Sequence, residues 1–73
     1  MRIRRGEFER IRSVLAEADP DGPLTAREIL AVLEEHGEEF DSPHQVATVL
    51  GRRAEYGDVE IIRDQPYRYR INH

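Results

Sequence analysis

Two helix start signals of the same kind stand close together in this chain, and they limit how it can fold. Residues 25–28 (TARE) form a capping box, with threonine at the N-cap and glutamate three positions later. Residues 42–45 (SPHQ) repeat the signal with a serine cap, a proline at the first helical position and glutamine at the third. Each signal precedes apolar residues at helical spacing, so we expect two helices joined by a short turn, a helix-turn-helix unit.

The apolar spacing predicts three helices in total. Residues 7–18 form helix 1, which the sequence DPDGP at 19–23 ends because two prolines and a glycine cannot continue a helix. Helix 2 covers 25–36 and closes at Gly37, and helix 3 covers 43–55. Phe40 is the expected hydrophobic anchor of the linker between helices 2 and 3. Residues 1–5 (MRIRR) are interpreted as a basic arm or a short edge strand.

Residues 59–71 change to a β-rich pattern and predict a hairpin. A three-residue loop at 64–66 places Ile61 opposite Tyr69 and Val59 opposite Ile71, so that apolar side chains share one face. A two-residue loop would set arginine against arginine. In the favoured register Glu60 lies opposite Arg70, Arg63 and Arg68 have no evident acidic partner, and both Tyr67 and Tyr69 are expected in the core.

The predicted fold class is therefore α+β, mainly α with a small β wing, in the order helix, helix, helix, hairpin. Its 73 residues suffice for one domain with a small core. The chain has no cysteine, no ligand cluster with metal spacing and no phosphate-binding glycine loop, so we expect no metal, no cofactor and no catalysis. No apolar run is long enough to span a membrane, and a cytoplasmic protein is expected.

Charge is unevenly distributed along the chain. The net charge is −4, yet residues 1–12 sum to +3, residues 13–41 to −8 and residues 42–73 to +1. Basic ends of this kind allow a polyanion to dock on one face of an acidic protein, although an acidic run is more often a solvated helix surface. Lysine is absent, which either a salty cytoplasm or GC-rich coding would produce.

Three stretches together resemble a winged helix-turn-helix domain: "GPLTAREILAVLEEHG" with its strand-like lead-in, "SPHQVATVLGRR" and "GDVEIIRDQPYRYRI". The resemblance runs from Phe8 to Ile71 and is nearest to HARE-type modules and small regulators of halophilic archaea. It implies that helix 3 enters the DNA major groove and that the hairpin contacts the backbone or the minor groove. A small transcriptional regulator that binds double-stranded DNA is the function it predicts.

The resemblance also implies which residues touch DNA. The base-reading candidates share one helix face: His44, Gln45, Thr48 and Arg52. Phosphate contacts are expected from the start and end of helix 3 and from the hairpin: Ser42, Arg53, Arg63, Arg68 and Arg70. The arm would add Arg2, Arg4 and Arg5.

Simpler interpretations compete with these. Helix capping alone accounts for Ser42 and Gln45, and any surface helix turns polar residues outward. The alternative function is a winged-helix module that binds a protein of a transcription or replication complex, favoured by the acidic segment 13–41. We expect a monomer, or a homodimer formed through helix 1.

Overall fold

The computed structural model describes residues 6–72 and contains three helices and three short strands, in the order helix, strand, helix, helix, strand, strand. The helices are α1 (Glu7–Ala18), α2 (Ala26–Glu35) and α3 (Pro43–Ala54), and the strands are β1 (Leu24–Thr25), β2 (Val59–Ile62) and β3 (Arg68–Ile71). Helix α1 has the predicted bounds. Helices α2 and α3 are shorter than predicted, because Thr25, His36 and Glu55 are caps rather than helical residues. The predicted basic arm, 1–5, lies outside the described residues.

Both start signals form as the sequence indicates. The Thr25 hydroxyl accepts a hydrogen bond from the Glu28 backbone N–H at 3.1 Å, and the Thr25 N–H donates to the Glu28 carboxylate at 2.8 Å. The Ser42 hydroxyl accepts from the Gln45 N–H at 3.3 Å. Gly37 follows α2 at φ 82°, a left-handed conformation that glycine adopts without a steric penalty.

The strands form one antiparallel sheet in the order β1–β3–β2. The hairpin has the predicted register, with Val59 opposite Ile71 and Ile61 opposite Tyr69. Strand β1 adds a third strand that the predicted order of helices and hairpin did not include, and it places Leu24 opposite Tyr69. The segment between α1 and α2 therefore ties the hairpin to the helices. This is an α+β arrangement of three helices and a small antiparallel sheet.

A single apolar core joins the helices to the inner face of the sheet. Its buried members are Phe8, Ile11, Val14, Leu15, Ile29, Leu33, Phe40, Val46, Leu50, Val59, Tyr69 and Ile71. Phe40 anchors the α2–α3 linker as predicted. The prediction for Tyr67 was wrong: this side chain is 48% exposed, because Tyr67 precedes the first residue of β3 and lies at the hairpin turn. No helix within residues 6–72 has the length and apolar character needed to cross a membrane.

Candidate nucleic-acid interface

Helix α3 turns a polar face to solvent opposite its core side chains. His44, Thr48 and Arg52 recur at four-residue intervals and are exposed, whereas Val46 and Leu50 on the other side are fully buried. The Thr48 hydroxyl donates to the His44 carbonyl at 2.9 Å and keeps its acceptor lone pairs for an outside donor. The structure thus brings three of the four predicted base-reading residues onto one accessible face.

Gln45, the fourth of them, is held by the protein itself. Its amide oxygen accepts from the Asp41 N–H at 2.7 Å, and its amide nitrogen donates to the Glu7 carboxylate. These bonds fix the start of α3 against the start of α1. Both ends of the Gln45 amide are occupied, so a contact with an adenine edge would require breaking them. The Ser42 hydroxyl likewise has an internal role, because it accepts the hydrogen bond that caps α3.

Several of the predicted phosphate-binding arginines have internal partners. The Arg53 guanidinium lies over the Phe8 ring, 4.8 Å from its centroid, and 3.3 Å from the Asp58 carboxylate. Arg70 pairs with Glu60 across the hairpin, as the register predicted. The expectation that Arg68 lacks an acidic partner was wrong: its guanidinium lies 3.9 Å from the Glu28 carboxylate, because β1 brings the start of α2 beside β3.

Three arginine side chains have no ion pair, hydrogen bond or aromatic partner among residues 6–72: those of Arg27, Arg52 and Arg63. All three are exposed. Arg52 lies on the polar face of α3, and Arg63 lies at the hairpin turn directly after β2. Arg27 was missed by sequence reasoning because it belongs to the acidic segment. The signal in the sequence is its position two residues after the Thr25 cap, which places a cation in the first turn of α2.

A shallow cleft of about 310 Å³ connects the hairpin turn to the first residues of α2 and α3. We call it the turn cleft; it is lined by Thr25, Ala26, Arg27, Pro43, Pro66, Tyr67 and Tyr69. Since Pro43 is directly followed by His44, the polar face of α3 begins at one edge of this cleft. Arg27, the hairpin turn and the first residue of α3 therefore border one cleft.

Two ionisable groups at or beside the turn cleft have shifted pKa values. Hydrogen bonds from the Thr25 backbone and side chain lower the pKa of the Glu28 carboxyl below its usual 4.5, and the charge of Arg68 lowers it further. Burial is the main cause that raises the pKa of the Tyr69 phenol, and neighbouring Tyr67 makes a smaller contribution in the same direction. At neutral pH the first group is therefore a carboxylate and the second a protonated hydroxyl donor.

Three carboxylates that have no ion pair among residues 6–72 lie around the other end of α2. Glu34 and Glu35 close this helix and Glu39 follows it, all exposed. Seven to eight residues of helix separate the first two from Arg27, roughly 10–12 Å at 1.5 Å per residue. The arginine of α2 thus lies at the turn cleft, next to Glu28 in the sequence, whereas Glu34 and Glu35 lie at the opposite end of the helix.

Across the described part of the chain no three histidine or carboxylate side chains are grouped so that they could hold a metal ion. Neither a protein-family model, nor a curated protein, nor a solved structure matches the chain.

Proposed function

We propose that this chain is a winged helix-turn-helix protein that binds double-stranded DNA, acting in the cytoplasm as a small transcriptional regulator. The observation that carries the proposal is the placement of the unpaired arginines. Arg52 lies on the exposed face of the second helix of a helix-turn-helix, and Arg63 lies on the hairpin beside it. Exposed cations without internal partners are those that can neutralise phosphates at the lowest cost.

In the proposed complex, α3 lies in the major groove with its polar face toward the bases. Arg52 can donate two hydrogen bonds to a guanine edge, and the Thr48 methyl can contact a thymine. Arg63 contacts the DNA backbone from the hairpin turn. Three predicted contact residues contribute less to DNA binding than the sequence suggested, because each already has an internal partner: Gln45, Arg53 and Arg70.

The test is a fluorescence anisotropy titration of a pool of random duplexes, repeated from about 0.05 to 0.2 M salt. Phosphate neutralisation predicts that log K falls linearly with log salt concentration. Arg63→Ala should weaken binding to all sequences alike, whereas Arg52→Ala should also reduce the preference among sequences selected from the pool. Each lost phosphate contact should lower the salt slope by about 1.

Arg12→Ala is the matched control, because it removes one positive charge from α1, where Arg12 already pairs with Glu9 at 2.5 Å. This variant should bind like the wild type. Equal losses in all three variants would indicate that only net charge matters and would contradict the interface. So would the absence of binding at the lowest salt concentration, provided that circular dichroism shows a folded chain there.

A second candidate function is a module that docks onto a basic protein partner. The observation that favours it is the group of exposed carboxylates around the end of α2, of which Glu34, Glu35 and Glu39 have no ion pair within residues 6–72. A Glu34→Gln, Glu35→Gln double variant separates the two functions. It should abolish capture of a stoichiometric partner if this candidate holds, and it should leave DNA affinity unchanged or raise it if DNA is the ligand.

A further inference from the structure

The side chain of Tyr69 combines deep burial with an unused hydroxyl. Tyr69 is only 7% exposed, and its hydroxyl makes no hydrogen bond to any residue in the range 6–72. Within the same range no fully buried side-chain oxygen or nitrogen lacks a partner. The Tyr69 hydroxyl must therefore reach solvent, although almost all of the residue is covered. A polar group held in this way can donate to a bound ligand without rearrangement of the core.

Tyr69 is one of the residues that border the turn cleft. Tyr69 also borders a larger groove beside α1, so lining alone does not distinguish the two. Tyr67 and Arg27 border the turn cleft and not the larger groove, so the turn cleft is where Tyr69 meets other donor groups. Both phenols thus border one cleft.

Arg27 supplies a third donor group to the same cleft. It is exposed, borders the cleft and has no ion pair in the part of the chain that the structure describes. The nearest carboxylate in sequence, Glu28, is held by the Thr25 N–H and lies 3.9 Å from Arg68, so its charge is already balanced. The remaining lining residues are Thr25, whose hydroxyl caps α2, Ala26 and the rings of Pro43 and Pro66.

We propose that the turn cleft is an oxyanion site, in which the Tyr69 and Tyr67 hydroxyls and the Arg27 guanidinium donate hydrogen bonds to one phosphate group. Guanidinium and hydroxyl groups are donors at neutral pH, and a charged acceptor roughly doubles the strength of each bond. The phosphate group is either a phosphodiester of a nucleic acid or free inorganic phosphate. The site does not depend on the proposed DNA-binding function, since none of its three donors was among the residues assigned to that function.

The experiment is a titration of the ¹⁵N-labelled full chain with sodium phosphate at pH 7, followed by ¹H–¹⁵N correlation spectra. Sodium chloride at matched ionic strength is titrated in parallel. Phosphate should give saturable shifts at the amides of residues 25–27 and 67–69, and chloride should not. Tyr69→Phe keeps the ring and removes the donor, so phosphate affinity should fall by about tenfold, the loss expected for one hydrogen bond to a charged group. Arg27→Gln should lower it at least as much.

Tyr56→Phe is the matched control, because Tyr56 is 77% exposed and borders a different groove, near α1 and the end of α3. It should bind phosphate like the wild type. If Tyr69→Phe fails to fold, Tyr67→Phe at the exposed turn tests the same cleft. Shifts that chloride reproduces, or an affinity that Tyr69→Phe leaves unchanged, would overturn the site.

A short DNA duplex identifies the source of the phosphate group. If the site takes a phosphodiester, the duplex should shift the same amides and displace phosphate, and Tyr69→Phe should weaken duplex binding. If phosphate saturates these amides while the duplex leaves them unmoved, the ligand is free phosphate. In the second case the oxyanion site stands, even where the anisotropy titration contradicts DNA binding.

Discussion

His44 and Gln45 are adjacent at the start of α3, but only the Gln45 side chain is hydrogen-bonded to other residues of the described range. His44 turns to solvent, whereas the Gln45 amide joins Asp41 to the Glu7 carboxylate. We expect Gln45→Ala to lower the free energy of unfolding by about 1–2 kcal/mol through the loss of these two hydrogen bonds. Urea denaturation followed by circular dichroism measures the change.

His44→Ala is the control on the same turn, and it should change stability by less than about 0.5 kcal/mol, as exposed substitutions usually do. If His44→Ala lowered the free energy of unfolding more than Gln45→Ala, the Gln45 amide would not be needed for folding and would be available to contact DNA. If both variants are as stable as the wild type, the contact between α1 and α3 contributes nothing to folding.

At the scale of the element, the capping box of α2 links helix stability to pH. Hydrogen bonds from Thr25 depress the pKa of Glu28 in the folded state. A carboxyl group whose pKa is depressed by folding stabilises the folded state at any pH above its pKa in the unfolded chain, which is about 4.5. This stabilisation is lost as the pH falls through the pKa of the folded chain. Glu28→Gln keeps an acceptor for the Thr25 N–H but does not titrate. Between pH 5 and pH 3 the wild type should therefore lose more stability than Glu28→Gln, measured by urea midpoints.

Glu17→Gln removes the same charge from the exposed side of α1 and leaves the capping box intact. Its loss of stability between pH 5 and pH 3 should exceed that of Glu28→Gln. Identical acid sensitivity in the two variants would contradict a role of the capping box in the pH dependence.

The same elements show what sequence reasoning can reach. The helices and the hairpin register could be predicted because caps, prolines and alternation are local signals, and only one loop length pairs Val59 with Ile71. Strand β1 has two residues, too few for any periodicity, so its pairing with β3 was not predicted. Two features of the candidate site were therefore not predicted either. Without β1, neither the Arg68–Glu28 contact nor the position of Arg27 at the turn cleft follows from spacing.

For the whole molecule, acidic charge is the main electrostatic cost of folding. Glu34 and Glu35 lie at the negative end of α2, and neither has an ion pair within the described residues. Sodium chloride near 1 M shortens the Debye length to about 3 Å and screens their repulsion, while buried or close pairs such as Arg10–Glu38 at 2.7 Å are weakened less. We therefore expect the melting temperature to rise as sodium chloride increases from about 0.05 to 1 M.

A rise of about 4–8 °C would correspond to roughly 1 kcal/mol for a domain of this size. The Glu34→Gln, Glu35→Gln double variant should start from a higher melting temperature at low salt and rise less, because it lacks the repulsion that salt screens. Chloride is preferred to sulfate, since sulfate stabilises any folded chain by exclusion from its surface. A melting temperature that falls with sodium chloride would mean that attractive pairs outweigh the acidic repulsion. In that event close ion pairs such as Arg10–Glu38 would dominate the salt dependence, and the carboxylates at the end of α2 would contribute little to it.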